Sequence, residues 1–311
     1  MRRPDGLVLL VFAAIVLIGG TNFVAVRFSN RELAPFWGAA LRFALASATL
    51  LAAARIAGWR LPRGRALAGA LIYGVLGFGV SYALMYKALV VAPAALAAVL
   101  IALVPLETLL LASAAGLERL RPRALAGALV AVAGTAVVFG DQLRADVPVA
   151  AVVATVAASL AIAGSGVAVK AFPRVHPVPT NAVGMLPGVA LLLALSLGAG
   201  EAQALPSRPE VVAALVYLVV PGSMGLFIGF LYVLERWTAS ATSYATVLFP
   251  LVTVAVGAAI AGESVSPTFL AGTALVIAGV YLGALSRTAA APVPAQAPAD
   301  PPGGGRPAQA R

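Results

Sequence analysis

Ten long apolar stretches separated by short polar breaks run through this chain, at residues 7–26, 36–57, 66–88, 93–117, 124–140, 148–169, 182–199, 211–234, 239–261 and 269–285. A helix that crosses a bilayer needs about 20 mostly apolar residues. The pattern therefore predicts an all-α integral membrane fold with ten transmembrane helices. The breaks fall where proline, glycine and charge collect, as at 30–35, 60–65, 118–123 and 174–180. None of the connections is long enough to hold a soluble domain. The first stretch can span, and no short apolar core with a small-residue cleavage site precedes it, so it reads as a retained helix. After Arg287 the chain turns to Ala, Pro and Gly with scattered charge, a composition expected to stay disordered.

The pattern also repeats. Aligning Pro105 with Pro250, an offset of 145, brings Thr108 onto Thr253, Glu118 onto Glu263 and Pro122 onto Pro267. It also brings Leu125-Ala126-Gly127 onto Leu270-Ala271-Gly272, and Ala133-Gly134 onto Ala278-Gly279. Alanine and leucine agree by chance in such segments; prolines, a glutamate and glycines at one fixed offset do not. The starts of the halves echo each other more weakly, Gly20-Thr21 against Gly164-Ser165, with one residue inserted. The expected organisation is a short N-terminal segment (1–6), a first five-helix repeat (7–140), a second (148–286) and a tail (287–311).

Composition agrees with the pattern and removes several functions. The chain is 61% hydrophobic and 10% charged, against about 25% charged in soluble domains, with a mean hydropathy of +1.00. It has no cysteine and one histidine, His176, which leaves no thiol chemistry, disulfide or histidine metal cluster. No phosphate-binding G-x-x-x-x-G-K-[ST] occurs. No cofactor is implied, and energy must come from a gradient. The net charge of +10 does not point to nucleic acid here, because in a membrane chain its distribution matters more than its total.

That distribution fixes an orientation. With the N-terminus in the cytoplasm, fifteen of the 21 cations fall on the cytoplasmic side. Arg27, Arg31, Lys87, Arg144 and Arg208 fall outside, and Arg42 lies within the second helix. Both termini are then cytoplasmic, as expected for a multi-pass inner-membrane protein. Five helices per repeat is an odd number, so the second repeat enters the membrane upside down. Inverted repeats are characteristic of secondary transporters, which bind their solute near the midplane between the halves.

At this point the residues resemble a known family. Gly-Thr-Asn-Phe-Val-Ala-Val-Arg at 20–27, Arg42-Phe43, and Pro250 followed by Gly262-Glu263, Gly272 and Gly279 are similar to EamA-type members of the drug/metabolite transporter superfamily. The family pattern usually carries a tryptophan where this chain has Gly19, and the first copy reads Leu117-Glu118 where the second has Gly-Glu. The resemblance implies a ten-helix carrier of small organic metabolites, often an exporter. It also implies a central cavity lined by the first four helices of each half.

Polar groups within the bilayer are expensive and so become candidates. Arg42 either holds a carboxylate or phosphate or ties the second helix to a neighbour. Glu107, whose repeat counterpart is Val252, stands near mid-membrane. Burial there favours the neutral form, so it can bind and release a proton as access alternates. The other reading is a permanently neutral acid bonded to a carbonyl freed by Pro105. Tyr82 and Tyr86, with Phe78, form a stripe that lines the cavity or packs the core. Tyr217, Tyr232 and Tyr244 in the second half carry the same two readings. Thr21, Asn22 and Ser165 suit either a cavity wall or a helix contact. Pro105 and Pro250, each removing one helix hydrogen bond, are candidate hinges. Gly184/Gly188, Gly225/Gly229 and Gly279/Gly283 have G-x-x-x-G spacing, the last a candidate homodimer contact through the tenth helix.

The expected partners are a small-molecule substrate and membrane lipid. The function this supports is alternating-access transport, export favoured, either proton-coupled through Glu107 or an uncoupled facilitator. A rival of another class, a membrane enzyme acting on lipid head groups, needs an acid and a base within reach. Asp141 and Asp146 are the close acidic pair outside, and no histidine lies near them.

Overall fold

The structure is a computed structural model and describes residues 5–89, 100–138, 140, 148–261 and 266–285. The Gly262-Glu263 pair, Asp141, Asp146, the start of the fourth apolar stretch and the C-terminal tail lie outside the described residues. Among the described residues the regular structure is entirely helical. The helices are α1 (Gly6–Ser29), α2 (Pro35–Ile56), α3 (Arg65–Gly74, Val75–Val80 and Ser81–Leu89), α4 (Val104–Ala114) and α5 (Pro122–Val138). Then come α6 (Val149–Ala171), α7 (Pro177–Gly198), α8 (Pro209–Val219, Val220–Gly225 and Leu226–Arg236), α9 (Ala239–Ser243 and Ala245–Ala261) and α10 (Pro267–Val280 and Tyr281–Leu285).

Eight of these, α1 to α3 and α6 to α10, are long and apolar enough to cross a membrane, while α4 and α5 are shorter. Their ends follow from local chemistry. Proline at the first helical position gives up an amide that has no partner there anyway; Pro35, Pro177, Pro209 and Pro267 start their helices this way. Gly58, Gly116 and Gly200 take positive φ just past α2, α4 and α7. There the amides of Trp59, Leu117 and Glu201 reach back to Ala54, Ala112 and Ser196 carbonyls, the Schellman closure that a glycine permits.

Two sequence expectations need correcting. The stretch 93–117 was expected as one spanning helix, but residues 102–103 form a turn and α4 starts afresh at Val104. Pro105 thus sits in a first turn, where it costs no hydrogen bond. The break expected at 174–180 is shorter, because α7 begins at Pro177, with the His176 ring accepting the Val178 amide at 3.3 Å. Thr180 and Asn181 are buried inside the helix.

The helices pack by a rule. Exchanging each helix of the first half for the one five places later leaves the set of major contacts unchanged. Thus α5 packs on α10 and α2 on α7; α1 packs on α9 as α6 does on α4; and α3 packs on α6 as α8 does on α1. At the α5–α10 contact Gly127 meets Gly279 and Gly283, and Gly134 meets Gly272 and Val276. Numbers rise along one helix as they fall along the other, so the two run antiparallel. The repeat offset carries the Gly127–Gly279 pair onto the Gly272–Gly134 pair, and both are in contact. A Cβ on Gly127 would lie 2.4 Å from the Gly283 amide nitrogen, so this approach needs glycine. α2 and α7 are antiparallel too: the amides opening α2 reach Glu201, just past the end of α7.

The same exchange relates two irregular segments. Val75–Val80 in α3 and Val220–Gly225 in α8 are both π-helical and lie 145 residues apart. A π turn inserts one residue and alters which carbonyls are satisfied, a feature frequent at functional sites. Large apolar side chains such as Leu10, Ile56, Val149, Leu197 and Leu270 face outward, as a bilayer requires.

Candidate functional site

Among the described residues, three polar clusters between different helices hold sequence candidates. The first is on α2. Arg42 is 3% exposed, and its Nη2 donates to the Tyr82 hydroxyl at 2.8 Å. The guanidinium carbon lies 4.4 Å from the centre of the Phe43 ring and 5.3 Å from that of Tyr82. Phe43, Phe78, Tyr82 and Phe227 pack mostly edge to face, with Phe43 and Phe227 tilted, 4.6 to 6.2 Å apart, fixing the floor beneath the charge. Nε has no partner among the described residues, and no carboxylate lies within ion-pair distance there. Cation–π contact returns at most about 2 kcal/mol, whereas a buried charge costs several. The site therefore holds a cation that its own walls do not fully balance.

The second cluster is where α4 crosses α6. Ser159, fully buried, donates to Glu107 Oε1 at 2.8 Å, while Oε2 is buried without a partner among the described residues. A small gap opens on the same crossing, lined by Val104, Thr108, Ile162, Gly166, Phe230 and Thr246 among others. Glu107 and Arg42 form no ion pair in the structure.

The third is built on the π segment of α8. Asn22 Nδ2 donates to the Gly222 carbonyl at 2.9 Å, and the Tyr217 hydroxyl lies 2.8 Å from Thr21 Oγ1. A Cβ at Gly222 would strike Asn22 Oδ1 at 2.2 Å. The repeat partner is similar: Ser165 on α6 faces Gly77 in the α3 π segment, where a Cβ would lie 3.1 Å from its Oγ. Each π glycine thus admits a polar side chain from the first helix of the other half. Ser165 also bonds the Ile162 carbonyl at 2.7 Å.

The other sequence candidates are placed as follows. Tyr244 is 1% exposed and bonds the Ala124 carbonyl at 3.2 Å beside Gly283. It lies between α5 and α10, apart from the three clusters. Tyr86 has its side chain outside the described residues. Pro250 lies within α9, unlike Pro105. Gly279 and Gly283, candidates for a dimer face, are both spent inside the chain against α5 and Tyr244.

Sequence reasoning missed the contacts that tie the halves together at the two ends. At the α1–α2 end, Glu201 accepts the Phe36 and Trp37 amides at 3.2 and 2.9 Å, capping α2. Glu32 there accepts the Ser207 hydroxyl and amide at 2.7 and 2.8 Å and the Arg208 amide at 3.0 Å. The Ser207 hydroxyl above all, with the Arg208 amide, holds Glu32 below the usual carboxylate range. At the opposite end Glu118 caps α9 through the Ser240 amide at 3.1 Å. Trp59 stacks on His176 with centres 4.0 Å apart, and Lys170 donates to the Leu234 carbonyl at 2.9 Å. A cleft of about 500 Å³ opens at this end beside Lys170, Arg174 and Glu235. The available signal was the run of acids at helix boundaries, read in sequence only as punctuation.

Comparison with known proteins places these clusters in context. A model described as the EamA-like transporter family matches residues 6–140 and again 149–284. The chain is 28% identical over 280 residues to the "uncharacterized inner membrane transporter YedA" of Escherichia coli (strain K12), covering 89% of this chain and 90% of that protein. It is 30% identical over 255 residues to a "probable terminal-alkyne amino-acid exporter" of Streptantibioticus cattleyicolor, covering 78% and 81%. A solved crystal structure superposes with a TM-score of 0.78 at 23% identity over 90% of this chain and 96% of that one, a likeness of fold.

Proposed function

Because the chain belongs to the EamA-like transporter family, we propose that it is a secondary carrier that exports small organic metabolites across the inner membrane by alternating access. In this reading ten helices form two inverted five-helix repeats with both termini in the cytoplasm. The α1–α2 end then faces outward, and the cleft beside Lys170 and Arg174 opens to the cytoplasm. The observation that carries the reading is the unchanged contact set under exchange of the halves, with α5 and α10 antiparallel. Two halves built to the same plan and pointing opposite ways supply two equivalent arrangements that differ in which end is closed. Export is favoured by the likeness, 30% identity over 255 residues, to a relative named as a probable exporter.

Glu107 is the proton carrier in this reading. Its unpartnered Oε2 and its single bond to Ser159 leave it able to change protonation without dismantling the crossing. The uncoupled facilitator remains the second reading, favoured by that same serine bond if it is permanent. Counterflow of a labelled metabolite panel in proteoliposomes tests carriage: at least one solute exchanges faster than in empty vesicles. Adding a pH gradient tests coupling, where the wild type accumulates solute and Glu107→Gln exchanges it without accumulation. Accumulation by Glu107→Gln equal to wild type removes Glu107 from the coupling step, and absence of any exchange removes the carrier reading.

A further inference from the structure

The buried guanidinium on α2 has what an anion subsite needs and what a structural tie does not. A tie would spend its donors on protein acceptors. Arg42 spends Nη2 on Tyr82 and leaves the Nε edge bare among the described residues, at 3% exposure. Guanidinium does not lose its proton in proteins, so the charge cannot be relieved by neutralisation as a lysine's can. The aromatic rings below it set the plane of the fork. Arg42 is the eighth residue of α2, about 10 Å along the helix from the α1–α2 end at 1.5 Å per residue. It stands opposite the part of α3 that follows the π segment, so a rearrangement of that segment would move Tyr82 against it.

We propose that Arg42, with Tyr82 as its positioning partner, receives the carboxylate of the transported solute. The carboxylate takes the bare Nε–H, and the Tyr82 hydroxyl holds the adjacent Nη2 in place. One guanidinium offsets one negative charge, which matches a carboxylate better than a phosphate dianion. The substrate class is therefore small organic acids and zwitterions, and the carboxylate is the obligatory group. This rests on the carrier reading.

The test uses three probes of one shape: leucine, 4-methylpentanoate, which lacks the amine, and leucinamide, which lacks the carboxylate. Thermal unfolding of the purified chain in detergent reports binding independently of transport. Leucine and 4-methylpentanoate are expected to raise the wild-type melting temperature, and leucinamide is not. Arg42→Gln, which still reaches the Tyr82 hydroxyl, abolishes the carboxylate shift. Arg42→Lys keeps a charge but not the fork and weakens carboxylate binding about tenfold, the loss of a charge-assisted bond; it serves where the glutamine variant does not fold. Equal shifts by leucinamide, no shift by either carboxylate, or unchanged affinity in Arg42→Lys each overturn the subsite. Counterflow with neutral metabolites separates that failure from failure of the carrier reading, since a carrier without this subsite still exchanges solutes.

Discussion

Where α4 meets α6, Glu107 reaches Ser159 and a small gap opens alongside. Where α9 meets α1, the matching positions hold Val252 and Ile15, and the space is full. Phe249, the counterpart of Val104, sits where a Cβ on Gly19 would be, 2.3 Å from its ring, and Val252 presses on Gly20. Thr253 seals the contact by donating to the Gly20 carbonyl at 2.8 Å. The backbone plan is the same at both crossings and the side-chain contents are opposite, one polar and loose, the other apolar and tight. A few side-chain differences leave the first crossing open beside a carboxyl group and make the second a weld. Gly19 belongs to the weld: the Phe249 ring from the other half occupies the space that a side chain there would need.

The largest effect should come from overfilling the weld. Gly20→Val puts a Cβ 2.4 Å from Val252 and 2.9 Å from the Phe249 carbonyl, and overpacking of this kind costs about 1–3 kcal/mol. Gly164→Val, at the matching place in the loose crossing, meets only Leu76 at 3.4 Å and should unfold near the wild-type temperature. Equal losses in thermal melts of the two would erase the distinction between the crossings. Next, Val104→Phe copies the weld's ring into the void. Cavity filling typically adds about 0.5–2 kcal/mol, so melting should rise while solute exchange slows; faster exchange would mean that the void plays no part in motion.

The smallest effect concerns the ends. Glu32 is held below its ordinary value of 4.5, chiefly by the Ser207 hydroxyl. A depressed carboxylate stabilises the fold above its unfolded value and loses that contribution as pH falls through the lower folded one. The α1–α2 contact with Ser207 and Arg208 should therefore hold at neutral pH and loosen only in acid below the usual carboxylate range. Glu32→Gln should loosen it at neutral pH. Labels on Asn30 and Pro206, introduced into a chain without native cysteine, would report a broadened distance. An unchanged distance in Glu32→Gln would show that the latch is not ionic.

The repeat was read from prolines, glycines and Glu118 at a constant offset, since proline and glycine act on the backbone wherever they stand, and one family model matches both 6–140 and 149–284. The helices followed from hydropathy, since lipid demands apolar faces and satisfied backbones. The π segments were not legible. One inserted residue leaves hydropathy untouched, and Gly77 and Gly222 gave a hint only once their 145-residue spacing was known. The same limit explains the site. Arg42 and Tyr82 were each singled out, but nothing in a separation of 40 residues says that one holds the other. Ser159 passed unnoticed because a serine in an alanine-rich helix carries no pattern of its own. The glycines of α10 were read for spacing, which says that two helices meet closely and not which two.

The central claim is that the halves are inverted across the bilayer, and equivalent loops test it most directly. Trp59 lies between α2 and α3, and Ser207 lies between α7 and α8. In the cysteine-free chain, Ser207→Cys should react with a membrane-impermeant maleimide in intact cells, and Trp59→Cys only after the membrane is opened. Labelling of both from the same side would contradict the account.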